Sequence, residues 1–170
     1  MFPVYLGLGS NIGNREGNLS DAIHRLNSEN VIVLSNISDL YETEPKYLVN
    51  QEDFYNIVIE GKTQLSCSEL LSECKRIESE MGRDFRQIHN GPRIIDIDIL
   101  FYDRLIETTN RLKIPHPGIT ERRFVLQPLM DVAADFIHPI ENLTVKLLYE
   151  KCMDPARVIK IKDIKNWISN

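Results

Sequence analysis

The chain has 170 residues and a mass of 19.7 kDa, and 42% of its residues are hydrophobic. At about 150 residues per domain, this length predicts a single domain over 1–170 whose core needs no disulfide or metal to fold. The net charge of −5 excludes a general nucleic-acid coat, which needs an excess of Lys and Arg, but it leaves room for a local basic site.

The hydrophobic pattern predicts a strand, a helix, two strands, a helix and a strand in chain order, followed by a mostly helical tail. The predicted strands lie at 3–9, 31–43, 54–63 and 93–103. The predicted helices lie at 14–29, 67–82, 122–134 and 142–152, and extended or loop segments lie at 44–53, 83–92 and 111–118.

The order βαββαβ is that of a ferredoxin-like α+β fold, an antiparallel sheet with helices on one face, here with a C-terminal helical extension. We expect the open face of the sheet to carry the loops. The glycines at 7–14 fit neither G-x-G-x-x-G nor a P-loop, so they predict a strand-to-helix turn with Asn14 as the helix cap.

The cysteine spacing and the absence of long apolar segments predict the compartment. Cys67, Cys74 and Cys152 show no paired spacing, which indicates a reducing compartment rather than a disulfide framework. Neither a long apolar run nor a signal-peptide pattern is found. We therefore expect a cytoplasmic protein, a monomer rather than an oligomer, with no nucleic-acid or membrane partner.

Two acidic residues alternate with isoleucines in the last strand of the predicted sheet. Because side chains alternate across a strand, Asp96 and Asp98 share one face. The isoleucines that alternate with them, Ile95, Ile97 and Ile99, bury the other face. Carboxylates roughly 6.6–7 Å apart along a strand repel each other unless a cation faces them. Oxygen donors of this kind suit Mg²⁺, including a pair of ions. A solvated strand face is the alternative.

A basic loop leads directly into that strand. Its cationic side chains are Arg83, Arg86, His89 and Arg93. Arginine pairs bidentately with phosphate oxygens, and carboxylates for Mg²⁺ beside arginines for phosphate are the components of a phosphoryl-transfer site. A solvated loop that pairs with surface acids is the alternative.

Other segments offer contacts for a phosphate or a flat heterocycle. His116 lies between two prolines, which hold its backbone extended, and Arg122 and Phe124 follow closely. Phe54 and Asn56 share a strand face, where an aromatic ring beside a carboxamide suits a heterocycle. Ordinary turn and core roles stay open for His116, Phe54 and Phe124.

Six segments between residues 4 and 135 carry a resemblance to a known family. They are LGLGSNIGNRE, YETEP, FYN, GPRIIDIDIL, IPHP and ERRFVLQPL. In this order and at these separations they resemble 6-hydroxymethyl-7,8-dihydropterin pyrophosphokinases, and GPR-x-x-D-x-D-I followed by PHP is highly specific. The resemblance implies the ferredoxin-like fold. It also implies transfer of pyrophosphate from ATP to the pterin hydroxymethyl group, which leaves AMP, as a step of tetrahydrofolate biosynthesis.

The resemblance also implies roles for individual residues, with ATP as co-substrate and two Mg²⁺ ions as cofactors. The implied metal ligands are Asp96 and Asp98. The implied catalytic residues are Arg83, Arg86, Arg93, Asp96 and Asp98. The implied ATP contacts are Glu78, Arg83, Arg93, Ile99, His116 and Arg122. The implied pterin contacts are Thr43, Phe54, Asn56 and Phe124.

The chain also departs from the family pattern. Asn90 replaces a common Trp, Phe85 stands where a second Arg is frequent, with Arg86 as its possible substitute, and Pro117 follows His116. The loop at 44–53 is not rich in Pro and Gly, so its closure over a substrate stays open.

Two other functions stay open on the residues alone. One is a non-catalytic ferredoxin-like module that binds RNA or a small ligand, although the acidic charge and the two aspartates count against it. The other is an ADP-forming kinase of the same shape.

Overall fold

A six-stranded sheet and four helices make up most of the computed structural model, which describes residues 1–46, 50–86 and 91–168. The strands are β1 (Phe2–Ser10), β2 (Val33–Ile37), β3 (Leu40–Thr43), β4 (Phe54–Thr63), β5 (Asp96–Tyr102), β6 (Glu107–Thr108), β7 (Lys113–Ile114) and β8 (Val158–Lys162). The helices are α1 (Arg15–Ser28), α2 (Cys67–Glu80), α3 (Arg123–Ala133) and α4 (Val145–Lys151), with a 3₁₀ helix at Lys165–Ile168.

The strand order of the main sheet confirms the predicted ferredoxin-like fold. The order is β5-β1-β4-β3-β8, with β2 also paired to β4, and β6 and β7 form a separate two-stranded sheet. Each neighbouring pair of the main sheet is antiparallel. β1 pairs with β4 along its full length, from Phe2 opposite Thr63 to Ser10 opposite Tyr55. β2 and β3 together take the place of one strand of the βαββαβ pattern.

The single strand predicted over 31–43 is wrong in one respect, because it is broken into β2 and β3. Ser38 lies at the break, where its amide donates to the carbonyl of Val58 and its hydroxyl accepts from the Val58 amide, each at 2.9 Å. A side chain thus replaces one backbone partner in the ladder. The apolar pattern does not reveal such a break, since both pieces keep strand-like residues.

The sheet buries both faces, each against a different pair of helices. One face packs under α1 and α2, and its side chains include Leu6, Leu8, Ile57, Ile59, Ile97 and Ile99. The other face packs Tyr5, Val58 and Phe101 against α3 and α4. The first two helices therefore share one face as predicted, while the C-terminal helices cover part of the opposite face. The remaining part of that face stays open.

The tail predicted as mostly helical contains α4 and also the edge strand β8. β8 pairs antiparallel with β3, with Val158 opposite Thr43 and Lys162 opposite Leu40. The segment VIKIK is short and exposed, so it lacks the buried alternation that marks the other strands. Among the described residues, no helix is long and apolar enough to cross a membrane.

Local signals define the ends of the first two helices. The Asn14 side chain accepts a hydrogen bond from the amide of Gly17 at 3.0 Å, which confirms the predicted cap of α1. Ser66 and Glu69 form a capping box at the start of α2. Gly82 follows α2 with a φ of 93°, a conformation that favours glycine. That turn directs the next residue, Arg83, toward the open sheet face.

Candidate active site

A cavity of about 540 Å³ lies on the open part of the sheet face, beside α3. Strands β1, β4 and β5 form its floor, and the connections that follow β3, α2 and β7 contribute to its walls. Ten of the predicted site residues line it. They are Thr43, Phe54, Asn56, Arg83, Arg93, Asp96, Asp98, His116, Arg122 and Phe124.

Asp96 is held by two arginines. Arg83 Nη1 donates to Asp96 Oδ1 at 2.5 Å, and Arg93 Nε lies 3.2 Å from Asp96 Oδ2. Burial alone would raise the pKa of the Asp96 carboxyl, but Arg93 and Arg83 outweigh this effect and hold the pKa below its usual range. Asp96 is therefore a stable carboxylate whose orientation is fixed.

Asp98 differs from Asp96 although the two share one strand face. Across residues 1–46, 50–86 and 91–168, no Lys or Arg side chain forms an ion pair with Asp98. Burial and the neighbouring Asp96 charge raise the pKa of Asp98 above its usual range. Asp98 therefore offers carboxylate oxygens that no described Lys or Arg pairs with, beside the carboxylate of Asp96, and oxygen donors of this kind suit a hard divalent cation.

Glu78 is fully buried and supports the site from behind. Its Oε1 atom accepts from the amide of Ile97 at 2.6 Å and lies 2.8 Å from Arg83 Nη1. Lys75 Nζ donates to both carboxylate oxygens, at 2.9 and 3.0 Å. Because β5 is an edge strand, Glu78 supplies the acceptor that a neighbouring strand would otherwise give. Glu78, which the sequence predicts as an ATP contact, does not line the cavity and is joined to the lining residues Arg83 and Lys75.

A polar pair from β3 and β4 lines the cavity. Asn56 Nδ2 donates to Thr43 Oγ1 at 2.7 Å, which fixes the orientation of the carboxamide. Gly9 lies across β1, where a Cβ atom would approach Asn56 Oδ1 to 2.7 Å. The absence of a side chain at Gly9 therefore leaves space for the carboxamide of Asn56, which is one of the predicted pterin contacts.

Two aromatic rings line the same cavity, and each lies under an arginine. Arg93 Cζ is 5.0 Å from the centroid of Phe54, and Arg122 Cζ is 5.9 Å from that of Phe124. Phe54 is buried, whereas Phe124 is partly buried against the α3–α4 cluster. Aromatic faces and guanidinium planes both stack on flat heterocycles.

His116 presents one defined nitrogen to the cavity. Its Nδ1 accepts from the amide of Gly118 at 3.1 Å, and its own amide donates to the carbonyl of Leu100 at 3.0 Å. Burial lowers the pKa of His116 despite the opposing pull of Asp98, so the neutral ring carries its proton on Nε2. His116 is therefore a hydrogen-bond donor toward the cavity.

Some predicted site residues lie elsewhere. The side chain of Arg86 is 91% exposed and pairs at 3.0 Å with Asp84 on its own loop, so it does not line the cavity. The side chain of Ile99 packs in the core below α1 and α2. His89 and Asn90 lie outside the described residues, as do residues 47–49 of the loop at 44–53.

Sequence reasoning missed two residues that organise the site. The buried side chain of Asn11 accepts from the Arg93 amide at 2.8 Å and donates to Gln51 Oε1 and to the carbonyl of Glu52, each at 3.0 Å. It therefore holds two walls of the cavity together. Lys75 lines the cavity beside the acidic cluster. The only signal for Asn11 was a polar residue directly after a buried strand.

The cavity of this ferredoxin-like domain joins a carboxylate pair, several arginines and two aromatic rings, which are the components that a phosphoryl-transfer site for a flat substrate needs. The family model for 7,8-dihydro-6-hydroxymethylpterin-pyrophosphokinase (HPPK) matches residues 5–134. The 2-amino-4-hydroxy-6-hydroxymethyldihydropteridine pyrophosphokinase of Aquifex aeolicus is 42% identical over 146 residues, which cover 86% of this chain and 89% of that protein. The chain belongs to the HPPK family, which confirms the resemblance seen in the sequence.

Longer relatives also match. The folic acid synthesis protein fol1 of Pneumocystis carinii is 44% identical over 151 residues, which cover 89% of this chain but 20% of that protein. The chain thus spans about a fifth of the length of the fol1 proteins that it matches. The crystal structure of Plasmodium falciparum HPPK-DHPS aligns with a TM-score of 0.70 at 21% identity, over 88% of this chain and 41% of that one. This likeness supports the fold.

Proposed function

We propose that the chain transfers pyrophosphate from ATP to 6-hydroxymethyl-7,8-dihydropterin and thereby makes AMP and the pterin pyrophosphate, a step of tetrahydrofolate biosynthesis. The observation that carries the proposal is the juxtaposition of Asp96 and Asp98 with Phe54, Asn56 and Phe124 in one cavity. The names of the family and of the relatives point to the same chemistry.

Two Mg²⁺ ions fit the carboxylate pair, and Asp96 and Asp98 would hold them. The fit rests on geometry, because both carboxylates lie on one strand face in the same cavity. Asp96 is paired with Arg83 and Arg93, whereas no Lys or Arg of the described residues forms an ion pair with Asp98. Bound Mg²⁺ supplies positive charge that polarises the phosphate oxygens of ATP.

The arginines stabilise the charge of the triphosphate as it changes during transfer. Arg83 is oriented by Glu78 and Asp96, and Arg93 is held by Asp96 and, through its amide, by Asn11. Fixed guanidinium groups need no reorganisation when charge develops on the transferred group. His116 adds a neutral donor, Nε2–H, for a phosphate oxygen.

In the proposed reaction, the pterin hydroxyl oxygen attacks the β-phosphorus of ATP in line. The new O–P bond forms as the bond from that phosphorus to the α–β bridging oxygen breaks, and AMP leaves with the bridging oxygen. The hydroxyl proton passes to solvent, since a loose phosphoryl transition state needs little help from a base. His116 is unsuited to accept it, because Nδ1 is already engaged and the pKa of the ring is lowered by burial.

The other end of the cavity orients the pterin. Asn56, fixed by Thr43, offers its carboxamide edge to the ring nitrogens and the exocyclic groups. Phe54 and Phe124 provide aromatic faces for the bicyclic ring. Positioning of this kind converts a bimolecular reaction into one within a single complex and lowers its barrier.

The proposed setting is the cytosol, with the chain acting as a monomer on small-molecule substrates. Its cysteines are free and buried, which fits a reducing compartment. They are Cys67, Cys74 and Cys152.

The direct test is incubation with ATP, Mg²⁺ and 6-hydroxymethyl-7,8-dihydropterin, followed by nucleotide chromatography. Pterin-dependent AMP supports the proposal. ADP would identify an ordinary kinase, and pterin binding without any nucleotide product would identify a binding module. A reaction without pterin and a reaction with Asp98→Asn are the controls, and neither is expected to release AMP.

A further inference from the structure

We propose that Asp154, in the segment after α4, is a positioning residue that joins two walls at the pterin end of the cavity. One wall is the stem of the β3–β4 connection at Lys46, and the other is the first turn of α3, which carries Phe124. This role rests on the proposed function, and Asp154 lies outside the region that the family model matches. The matched region ends at residue 134.

Asp154 caps α3 from a distant part of the chain. Its Oδ2 atom accepts from the amide of Arg123 at 3.0 Å, and Arg123 Nε donates back to the carbonyl of Asp154 at 3.0 Å. The residue at the cap position of the helix itself, Arg122, makes no side-chain cap. A carboxylate at the first amide of a helix satisfies an otherwise unpaired donor and favours the positive end of the helix dipole. The next residue along α3 is Phe124, so the contact fixes the backbone position from which that ring extends.

The same carboxylate oxygen holds the opposite wall. Lys46 Nζ lies 3.2 Å from Asp154 Oδ2 and also donates to the carbonyl of Glu121 at 2.5 Å. Lys46 lines the cavity three residues after Thr43. Asp154 Oδ2 thus links the connection after β3, three residues beyond Thr43, to the helix that carries Phe124.

The environment of Asp154 strengthens this link. Its side chain is only 6% exposed, so little solvent screens the charge. Burial alone would raise the pKa of Asp154, but the hydrogen bonds from the Arg123 amide and from Lys46 outweigh it and lower the pKa. The carboxylate is therefore ionised at neutral pH and bonded on both sides.

Neighbouring residues of the same segment fix both stems of the β3–β4 connection. The amide of Arg157 donates to Glu44 Oε1 at 2.9 Å, and Arg157 Nη2 donates to Asp53 Oδ2 at 2.6 Å. The contact continues the β3–β8 pairing, in which Thr43 lies opposite Val158. The segment at 154–158 is therefore a brace for the pterin end, with Asp154 as its most buried charge.

Asp154 itself does not line the cavity. Its side chain bonds to Lys46 and to the amides of Arg123 and Ala156, whereas Asp96 pairs with Arg83 and Arg93. Removing the carboxylate should therefore weaken pterin binding selectively. We expect Asp154→Ala to raise KM and Kd for the pterin by about tenfold, because Lys46 and the start of α3 must then be ordered when the pterin binds. The values of kcat and of KM for ATP should stay within about twofold of the unaltered enzyme, because the reacting groups keep their contacts.

The experiment compares Asp154→Ala, Asp154→Asn, Lys46→Met and the double variant Lys46→Met/Asp154→Ala. Asn keeps an oxygen acceptor for the Arg123 amide, so it should recover part of the pterin affinity. Because Lys46 acts with Asp154, the double variant should lose no more than about the larger single effect. Lys160→Ala is the matched control, since Lys160 lies in β8, directly after the segment at 154–158, and pairs with Asp39, and neither residue lines the cavity.

Each outcome decides the proposal. A selective loss of pterin affinity with non-additive single effects supports it. Unchanged pterin constants, equal losses for both substrates, or strictly additive effects overturn it. If Asp154→Ala does not fold, Asp154→Asn and Lys46→Met provide the same comparison. The unaltered protein separates the two levels of the account, because its failure to bind pterin or to form AMP overturns the proposed function and this role with it.

Discussion

Arg83 donates from Nη1 to Asp96 Oδ1 at 2.5 Å, so the residue that ends the turn after α2 is joined directly to the first residue of β5. The same nitrogen lies 2.8 Å from Oε1 of the buried Glu78. Two carboxylates from different elements therefore hold one guanidinium. Asp98 has no such partner among the described residues. The two aspartates therefore differ in their contribution to the stability of the fold, although the proposed chemistry needs both.

Because of this difference, Asp96→Ala and Asp98→Ala should change the free energy of unfolding differently, although both should abolish activity. Asp96→Ala should lower the free energy of unfolding by about 1–3 kcal/mol, because it leaves Arg83 and Arg93 with unpaired charge. Asp98→Ala should leave stability unchanged or raise it, since it removes a carboxylate that burial and Asp96 disfavour. Both should abolish AMP formation. Urea unfolding and product chromatography measure the two effects, and wild-type turnover by either variant at saturating Mg²⁺ would refute the metal assignment.

Phe124 should contribute to pterin binding and not to ATP binding. We expect Phe124→Ala to raise the pterin Kd by about 10- to 100-fold, the usual effect of removing an aromatic face from a stacked base. The ATP Kd should change little. Phe136→Ala is the control, because Phe136 packs in the same α3–α4 cluster without lining the cavity. Calorimetric titration with each substrate gives both constants, and equal losses for the two would make Phe124 an ordinary core residue.

Glu78 should be more important for stability than its distance from the substrate suggests. Glu78→Ala leaves the Ile97 amide and Lys75 without this acceptor and removes one of the two carboxylates that hold Arg83, so it should cost about 3 kcal/mol. Glu78→Gln keeps an oxygen for the Ile97 amide, so it should cost less, while KM for ATP rises because Arg83 is held less firmly. Denaturant titration and steady-state kinetics separate these effects. An unchanged unfolding free energy in Glu78→Ala would contradict the role given to this carboxylate.

His138 predicts a pH dependence outside the active site. It is 4% exposed, and its Nδ1 accepts from the amides of Ile140 and Glu141 at 3.3 and 3.2 Å. Burial lowers its pKa, with Glu141 opposing, so the folded state binds fewer protons than the unfolded state below about pH 6.5. This contribution to stability is complete above that pH and declines as the pH falls toward the lowered pKa of the folded state.

The comparison with His138→Asn tests this pH dependence. Asn keeps an acceptor for the turn but does not titrate, so its stability should fall less between about pH 7.5 and 5. His24→Asn, which removes a histidine at an exposed position of α1, is the matched control. Urea unfolding at several pH values measures the slopes. Parallel slopes for all three proteins would exclude the titration of His138.

The sequence predicted the order of the elements well, because the core side chains keep clear periods. Leu19, Ile23 and Leu26 recur at helical spacing and are buried, and Ile95, Ile97 and Ile99 alternate and are buried. The break at Ser38 could not be predicted, since it depends on a hydroxyl that replaces a backbone partner. The strand β8 also lacked a signal, because an exposed edge strand needs no buried face.

Much of the candidate site could be predicted for a similar reason. Asp96 and Asp98 share a face by strand geometry alone, and the structure brings them to the cavity with Arg83 and Arg93. The position of Arg86 could not be predicted, because a loop residue follows no period. The contacts of Asn11 and Asp154 escaped prediction as well, because they join segments that lie far apart in the chain.

Phosphorus NMR of the complete reaction tests the central claim most directly. Unaltered protein, ATP, Mg²⁺ and 6-hydroxymethyl-7,8-dihydropterin should yield the AMP resonance together with two mutually coupled signals from a diphosphate on the pterin. Appearance of ADP with a single pterin phosphate signal, or an unchanged ATP spectrum under conditions where the pterin binds, would contradict the account.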